Sequence, residues 1–450
     1  MRLATQRRRV LVITYEFPPG MEMGAQACAQ IARYLPLYGW EPVVLTVRER
    51  YIENISDRPQ RAFPGLVIRT HMVPHPLSVF RSLKSRLRLK ADEKPSEEAS
   101  FEKMGVLKRW VLSLLRVVDM RTGWILPASV AGLGVIRQQK VSHLFSSGPP
   151  WTSHLVGLVV ARLTGLPWTV HFRDPWTGIP QWKPVSALSA RIETTLEKMV
   201  VSRATSVVCV TDRHTNMMRQ IYLELPPDKF VTVPNGFDEA EWNDVEVGND
   251  GGGLGREDKF VITYAGQLYW ERSPLPLFRA LRALADAGGI ELARVRVDLV
   301  GWCDVARGRR VTEMAADCGI GDCINVKGPL SRTETVRKLA RSDLLLLLAE
   351  GLTLQIPGKT YEYLRARRPI LALTSEGALA ELLRETGGAW VVDPADDNGI
   401  VAAVREAYRV WNDGLLLPTA NPALVSGFDR RLLAGRFADL FDRGISGLYS

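Results

Sequence analysis

The chain has 450 residues, 46% of them hydrophobic and 24% charged. That is too long for one ordinary core and too apolar for a disordered segment, so two globular domains are expected. The net charge of +9 is concentrated, with +4 in residues 1–9 and +5 in residues 79–118, which disfavours a generally basic nucleic-acid-binding protein and points to an anionic surface as partner.

The start, "MRLATQRRRVLVITYEF", reads as a first strand: its apolar run is short, holds Tyr15 and Glu16, and has no small-residue cleavage site. No apolar run reaches about 18 residues, so a spanning helix is not expected and a cytoplasmic protein is. Strand-like runs follow in order: "EPVVLTV", "LVIRTHMV", "SHLFSSG", "WTVHF", "SVVCVT" and "FVTVPNG". Most are continuous rather than alternating, as in strands covered on both faces. Helical spacing lies between them; Ile31, Tyr34, Leu35 and Tyr38 share one face before Gly39 stops the turn.

Residues 79–118 interrupt this block. Leu107, Trp110, Val111, Leu114, Leu115 and Val118 form a helical stripe flanked by Lys108, Arg109 and Arg116. Such a stripe suits either a helix lying on an anionic membrane or a helix packed inward on a sheet. After "VPNGFD" comes the polar, Gly-rich "NDVEVGNDGGGLGRED", a linker. A second alternating block follows: "FVITYAG", "VRVDLVG", "INVKG", "DLLLLLA", "PILALT" and "AWVVDP", with a helical last 50 residues. Two doubly wound Rossmann-like α/β domains are therefore expected, joined near 235–258. Neither block opens with G-x-G-x-x-G, which argues against a dinucleotide oxidoreductase. Five cysteines indicate a reducing compartment; Cys303, Cys318 and Cys323 lack CxxC spacing or a nearby His pair and read as small buried hydrophobes, not a zinc site.

The stretches "TYEFPPGMEMGAQ", "WTVHFRDPW", "VPNGFD", "AGQLYWER" and "QIPGKTYEYLRARRPILAL", in that order and spacing, resemble the motifs of the family-four retaining glycosyltransferases of the GT-B fold, a group that includes many bacterial lipopolysaccharide and capsule enzymes. The resemblance covers nearly the whole chain. It implies two Rossmann-like domains facing a cleft: 1–238 on the acceptor side, with the basic insertion 79–118; 239–420 for the nucleotide-sugar donor; and a helical segment, 421–450, of the kind the family packs back on its first domain. "TYEFPPGMEMGAQ" looks like the family's first glycine loop. Gly20 and Gly24 there let backbone approach a ligand ahead of a helix N-terminus, or make a plain strand-helix turn. The family's glycines are usually adjacent, and here they stand four apart.

In "WTVHFRDPW", His171 stands where the family often has a histidine implied to touch the donor sugar and acceptor pocket; a packed core histidine is the other reading. Arg173 and Asp174 follow at the carboxyl end of a strand, where α/β sheets bind ligands. Asp174 would orient or help deprotonate an acceptor hydroxyl, or the two residues form a local ion pair. In "VPNGFD", Asn235–Gly236 is expected to make a positive-φ turn that sets the hinge. "AGQLYWER" sits where the family has G-R-L-x-x-x-K; Gly266 is kept, Gln267 replaces the Arg and Arg272 the Lys, so one cation survives to grip a diphosphate.

In "QIPGKTYEYLRARRPILAL", Glu362 matches the second of the family's two glutamates, which is implied to hydrogen-bond the nucleotide's ribose. Leu354 stands at the first. Lys359, beside a helix N-terminus and two positions before Tyr361, is a phosphate site by chemistry and would replace the charge lost at Gln267. The resemblance thus implies His171, Asp174 and Arg272 as catalytic, and Gly20, Gly24, Arg173, Gln267, Lys359, Tyr361 and Glu362 as donor- or substrate-binding. The expected substrates are a nucleotide-diphosphate sugar and a saccharide or lipid-linked acceptor, with no cofactor, no metal and no nucleic acid. The expected place is the cytoplasm or the inner face of the plasma membrane. A non-catalytic scaffold of a polysaccharide assembly complex, encouraged by Gln267 and Leu354, and a GT-B sugar-nucleotide epimerase remain as alternatives.

Overall fold

A computed structural model describes residues 8–55, 63–74, 118–179, 182–184, 186–243, 245, 258–268 and 272–446. Nearly all of the 79–118 insertion, with its basic run and helical stripe, lies outside them. The chain divides into two compact units. Unit one comprises Met1–Val210, His214–Val233 and Ala434–Ser450; unit two comprises Thr211–Arg213 and Pro234–Leu433.

Unit one carries a parallel sheet of seven strands: β1 (Arg8–Ile13), β2 (Trp40–Val47), β3 (Leu66–Thr70), β4 (His143–Gly148), β5 (Trp168–Phe172), β6 (Ser206–Cys209) and β7 (Phe230–Thr232), in the order β3-β2-β1-β4-β5-β6-β7. Its helices are α1 (Met23–Tyr34), α2 (Ile125–Gln139), α3 (Thr152–Thr164), α4 (Ala187–Arg203) and α5 (Asp212–Ile221), the last beginning within unit two. α1 ends sooner than its apolar face suggests. Pro36 has no N–H to continue an α-helix, so Leu35–Tyr38 tightens into a 3-10 turn, closed by Gly39 at φ 82°.

Unit two carries a six-stranded parallel sheet in the order β12-β9-β8-β13-β14-β15, plus a two-residue hairpin that the sequence reading missed. The strands are β8 (Phe260–Ala265), β9 (Val295–Val300), the hairpin β10 (Val305–Ala306) and β11 (Arg309–Arg310), β12 (Ile324–Lys327), β13 (Leu344–Ala349), β14 (Ile370–Thr374) and β15 (Ala389–Val392). β13, "LLLLLA", is buried at all six positions, as a central parallel strand must be. The helices are α6 (Leu275–Asp286), α7 (Val311–Asp317), α8 (Arg332–Ala340), α9 (Lys359–Arg365), α10 (Ala378–Thr386), α11 (Asp397–Asn412), α12 (Pro422–Ser426) and α13 (Arg430–Ser446). α8 opens with a capping box between Ser331 and Glu334.

Strand order reverses between β1 and β4 in the first sheet and between β8 and β13 in the second. Crevices at the carboxyl ends of strands at such switch points are where open α/β sheets take ligands. From Ala434 onward α13 belongs to unit one and completes its core. Phe437 and Phe441 pack on Phe145 at 5.2 and 5.7 Å between centroids, and Asp442 accepts from Trp40 Nε1 at 2.9 Å. Burial of each phenylalanine is worth about 1.5–3 kcal/mol.

The expected positive-φ turn at Asn235–Gly236 is absent, since neither residue has positive φ. Glycine is required there for a different reason: the Gly236 Cα lies against another strand of backbone, and a Cβ would come within 2.0 Å of the Phe428 carbonyl oxygen. The neighbouring Phe237 N–H donates to that carbonyl at 3.1 Å. Gly236→Ala must push two hydrogen-bonded segments apart and is expected to cost about 1–3 kcal/mol, read as a lowered urea midpoint. An unchanged midpoint would mean that the contact relaxes freely.

No helix among the described residues is long and apolar enough to cross a membrane.

Candidate active site

In unit two the loop after β8 turns sharply at Gly266, φ 137°, whose N–H donates to the Val300 carbonyl at 2.8 Å. The missing side chain matters, because a Cβ on Gly266 would sit 2.4 Å from Lys359 Nζ. Lys359 is the first residue of α9 and only 9% exposed. Its ammonium lies 3.9 Å from the centroid of the Tyr264 ring and finds no hydrogen-bond acceptor among the described residues. Burial, reinforced by Arg272, lowers its pKa to about 7. A buried lysine held by an aromatic face alone lacks the anion its charge calls for. α9 has only seven residues, so the site rests on this side chain rather than on a long helix dipole.

Arg272 lines a cavity of about 290 Å³ beside the β8/β13 switch, with Ser273, Arg279, Arg307, Leu348 and Glu350 among its walls. Arg307 and Glu350 pair across it at 2.5 Å. The sequence reading missed Tyr264, Arg279, Arg307 and Glu350. Only the position of Glu350 just after a strand could have signalled it. Gln267 is exposed and contributes its carbonyl, which accepts from the Tyr264 hydroxyl at 2.7 Å. Leu354, also without a side-chain charge, has its carbonyl held by the Thr211 hydroxyl at 2.6 Å.

Glu362 is not a bare surface charge. Its carboxylate meets Arg332 at 2.6 Å, and the same guanidinium meets Glu241 at 2.6 Å. Arg430, 5% exposed, adds its field to both acids. Tyr361 belongs elsewhere: it is 1% exposed, with its ring against Phe428 at 5.1 Å, so it serves the core rather than a ligand.

In unit one the β1/β4 switch brings Gly24 and Arg173 together. Gly24 lies in the first turn of α1, and a Cβ there would overlap Arg173 Nη1 at 1.3 Å. Arg173 is anchored by its N–H to the Gly148 carbonyl at 2.9 Å and by its guanidinium to the Pro149 carbonyl. Asp174 follows, half-buried. Gly20 is under no such demand, its nearest clash being 3.3 Å from the Phe17 carbonyl oxygen. The N-terminus of α3 is already filled, since Asp119 accepts from Thr152 N–H at 2.9 Å and from its hydroxyl at 2.5 Å. His171 is corrected to its core reading. It is 2% exposed, faces Phe145 and Phe437, and has Nδ1 3.2 Å from the Ser147 hydroxyl. It stands one residue from the end of β5, with the Phe437 ring of α13 edge-on at 5.2 Å.

Among the described residues no group of three or more His, Cys, Asp or Glu side chains is placed to hold a metal ion. Cys303 and Cys323 are buried and Cys318 partly exposed. Cys303 also has a local task, with its Sγ 3.3 Å from the Gly266 carbonyl oxygen.

Residues 24–236 match the family described as Glycosyl transferase 4-like domain, and residues 259–409 match Glycosyl transferases group 1. The chain is a family-four-like GT-B glycosyltransferase. No curated protein matches this glycosyltransferase in sequence. Its fold is shared by solved structures of low identity. Anabaena HepE, in complex with UDP and glucose, aligns at TM-score 0.62 and 14% identity over 97% of this chain and 100% of that one. Sucrose-phosphate synthase from Thermosynechococcus elongatus aligns at 0.57 and 14%, over 98% of each. The N-terminal domain of Candida albicans trehalose-6-phosphate phosphatase aligns at 0.62 and 12%, over 97% of each. The first match lies mostly in unit one and holds Gly24 and Arg173, reaching Gly236 at the start of unit two; the second lies within unit two and holds Gly266, Arg272, Lys359 and Glu362.

Proposed function

We propose that this glycosyltransferase moves a sugar from a nucleoside-diphosphate donor to a saccharide or lipid-linked acceptor, with retention and without a metal, in cell-surface polysaccharide synthesis. The buried ammonium of Lys359, lacking an acceptor beside the open Cα of Gly266, carries the reading. Arg272 and the adjoining cavity supply a second cation and room for the nucleotide. A related fold solved with UDP and glucose supports this donor class.

In this reading Lys359 and Arg272 stabilise the charge that grows on the departing diphosphate as its bond to the sugar's anomeric carbon breaks. The acceptor oxygen forms the new bond on the same face, and the leaving phosphate oxygen takes its proton. Glu362, oriented by Arg332, receives the ribose hydroxyls. The basic stretch 79–118 would hold the enzyme at an anionic cytoplasmic membrane surface.

Calorimetry of UDP, GDP, ADP, dTDP and CMP against wild type and Glu362→Ala tests the donor site. One diphosphate is expected to bind at micromolar concentration and to lose about 1–3 kcal/mol in the variant. Equal binding by both proteins would remove Glu362 from the site. If no nucleotide binds, a non-catalytic scaffold becomes the better reading.

A further inference from the structure

Unit one has a second basic surface that the proposed chemistry leaves unused. α3 ends at Thr164, just before β5, and α4 ends at Arg203, just before β6. Their last turns therefore lie at the amino edge of the first sheet, opposite the edge where such sheets take substrates. A cavity of about 720 Å³ runs along the outer face of α4 and reaches Arg162 in the last turn of α3. That volume is typical of a small-ligand site. Arg162, Arg191, Lys198, Met199, Ser202 and Arg203 are among its walls, and none of the described residues in those walls is acidic. From Arg191 to Arg203 the helix rises about 18 Å.

α4 sorts its charges to make this face. Its two acids are buried on the other side and held there. Glu193 accepts from Trp182 Nε1 at 2.8 Å, and Glu197 accepts from the Thr177 N–H at 2.9 Å and the Tyr222 hydroxyl at 2.8 Å. Glu224, in the segment after α5, reaches the groove and neutralises Lys198 at 2.8 Å. Two other cations serve the helix ends. The Arg203 guanidinium donates to the Ala161 and Leu166 carbonyls at 2.6 and 3.2 Å, and the Lys229 ammonium donates to the Ser202 carbonyl at 2.9 Å. A helix C-terminus carries about half a negative charge, so these two already offset both ends. Arg162 and Arg191 are exposed and come in addition; among the described residues neither guanidinium has an acceptor. The crowding at one end is measurable: burial and then Arg162 lower the pKa of Arg203, and burial and then Arg203 lower that of Lys229. Like charges gathered without a counter-ion leave a positive potential that an anion relieves.

We propose that this groove is a second, non-catalytic binding site for a ligand carrying two or more phosphate groups, gripped by Arg162 and Arg191. Guanidinium forks match phosphate oxygens. Cations spread along about 18 Å of helix suit several anionic groups rather than a single carboxylate. Soluble polyphosphates and anionic lipid head groups share this chemistry, and the test separates them. The site does not depend on the glycosyltransferase reading and uses none of the donor-site residues.

Two probes are used on the full chain: inorganic tripolyphosphate by calorimetry, and flotation with phosphatidylglycerol vesicles against phosphatidylcholine controls. Tripolyphosphate is titrated in a Lys359→Met background, which keeps the donor site from contributing. Adding Arg162→Gln with Arg191→Gln is expected to raise its Kd tenfold or more. Lysine at both positions keeps the charge and should raise it by a smaller factor, which separates lost recognition from lost folding. In the otherwise wild-type chain the glutamine pair should leave UDP, GDP and ADP affinities within twofold. Weakened tripolyphosphate binding with unchanged flotation assigns a soluble ligand, and weakened flotation assigns lipid head groups. If the glutamine pair weakens neither probe, the proposal is overturned. Absence of nucleotide binding in wild type would strike the donor reading alone.

Discussion

Methionine in place of Lys359 is expected to weaken nucleoside-diphosphate binding and at the same time stabilise the fold. The ammonium would make charge-assisted hydrogen bonds to the diphosphate, worth about 1.5–3 kcal/mol, so affinity should fall roughly 10- to 150-fold. In the free protein the same group is a desolvated cation resting on the Tyr264 ring without an acceptor. Methionine keeps the length of the chain and its contact with the aromatic face while removing the burial penalty.

The pH dependence has a definite sign. The folded-state pKa of about 7 lies below the ordinary lysine value of 10.5, so the unfolded chain binds more protons between those values. Wild-type stability should therefore rise with pH from about 7 to 10.5, and Lys359→Met should lack that rise. Nucleotide affinity runs the other way, falling as pH climbs through 7 and the free protein loses the charge. Urea melts and calorimetry at pH 6, 7.5 and 9 measure both trends. A variant that is less stable than wild type at pH 6 would show that the ammonium has a partner in solution.

The second large effect is expected at Arg332. One guanidinium serves both Glu241 and Glu362, whose side chains are 23% and 13% exposed, while Arg332 itself remains 41% exposed. Arg332→Met leaves two crowded carboxylates with Arg430 as the remaining nearby cation. Breaking a fully buried pair costs about 3–5 kcal/mol; with this much solvent at the arginine, about 2–3 kcal/mol is expected. Burial already raises the Glu241 carboxyl above its ordinary 4.5, with Glu362 adding to that rise and Arg332 opposing it. Removing the arginine raises it further. The folded variant then takes up a proton that the unfolded chain releases, so its deficit should be small near pH 4.5 and grow as pH rises. Urea midpoints at pH 5 and 8 test this. Equal deficits at the two pH values would mean that the loss is one of packing rather than charge.

The sheets were legible because parallel strands buried on both faces are written as apolar runs, as "LLLLLA" and "WTVHF" show. The hairpin Val305–Arg310 was not, since two-residue strands carry no periodicity. The family resemblance and side-chain chemistry singled out Arg272 and Lys359 as candidate phosphate ligands, and the Arg272 charge does act on Lys359, but the reason for glycine at 266 needed coordinates. Its Cα faces Nζ from a residue 93 positions later. His171 and Tyr361 show the opposite failure. Each stands in a motif-like stretch at a strand or helix end, but α13 covers His171 and Phe428 covers Tyr361. Burial by an element distant in sequence leaves no local trace. The two glycines of the first loop looked equivalent as sequence, and only Gly24 proves to be constrained by Arg173.

The dependence of the first unit on residues 434–446 bears on how the protein is made. Strands β1 to β7 leave the ribosome roughly 200 residues before Phe437 and Phe441. At the usual pace of about 5–20 residues per second, that is a delay of roughly 10–40 s. Throughout that interval the Phe145 and Trp40 surface of the nascent sheet has no cover. Synthesis of this enzyme thus carries a waiting period in which an apolar face lacks its final cover, and slowing translation lengthens that exposure rather than helping the unit fold.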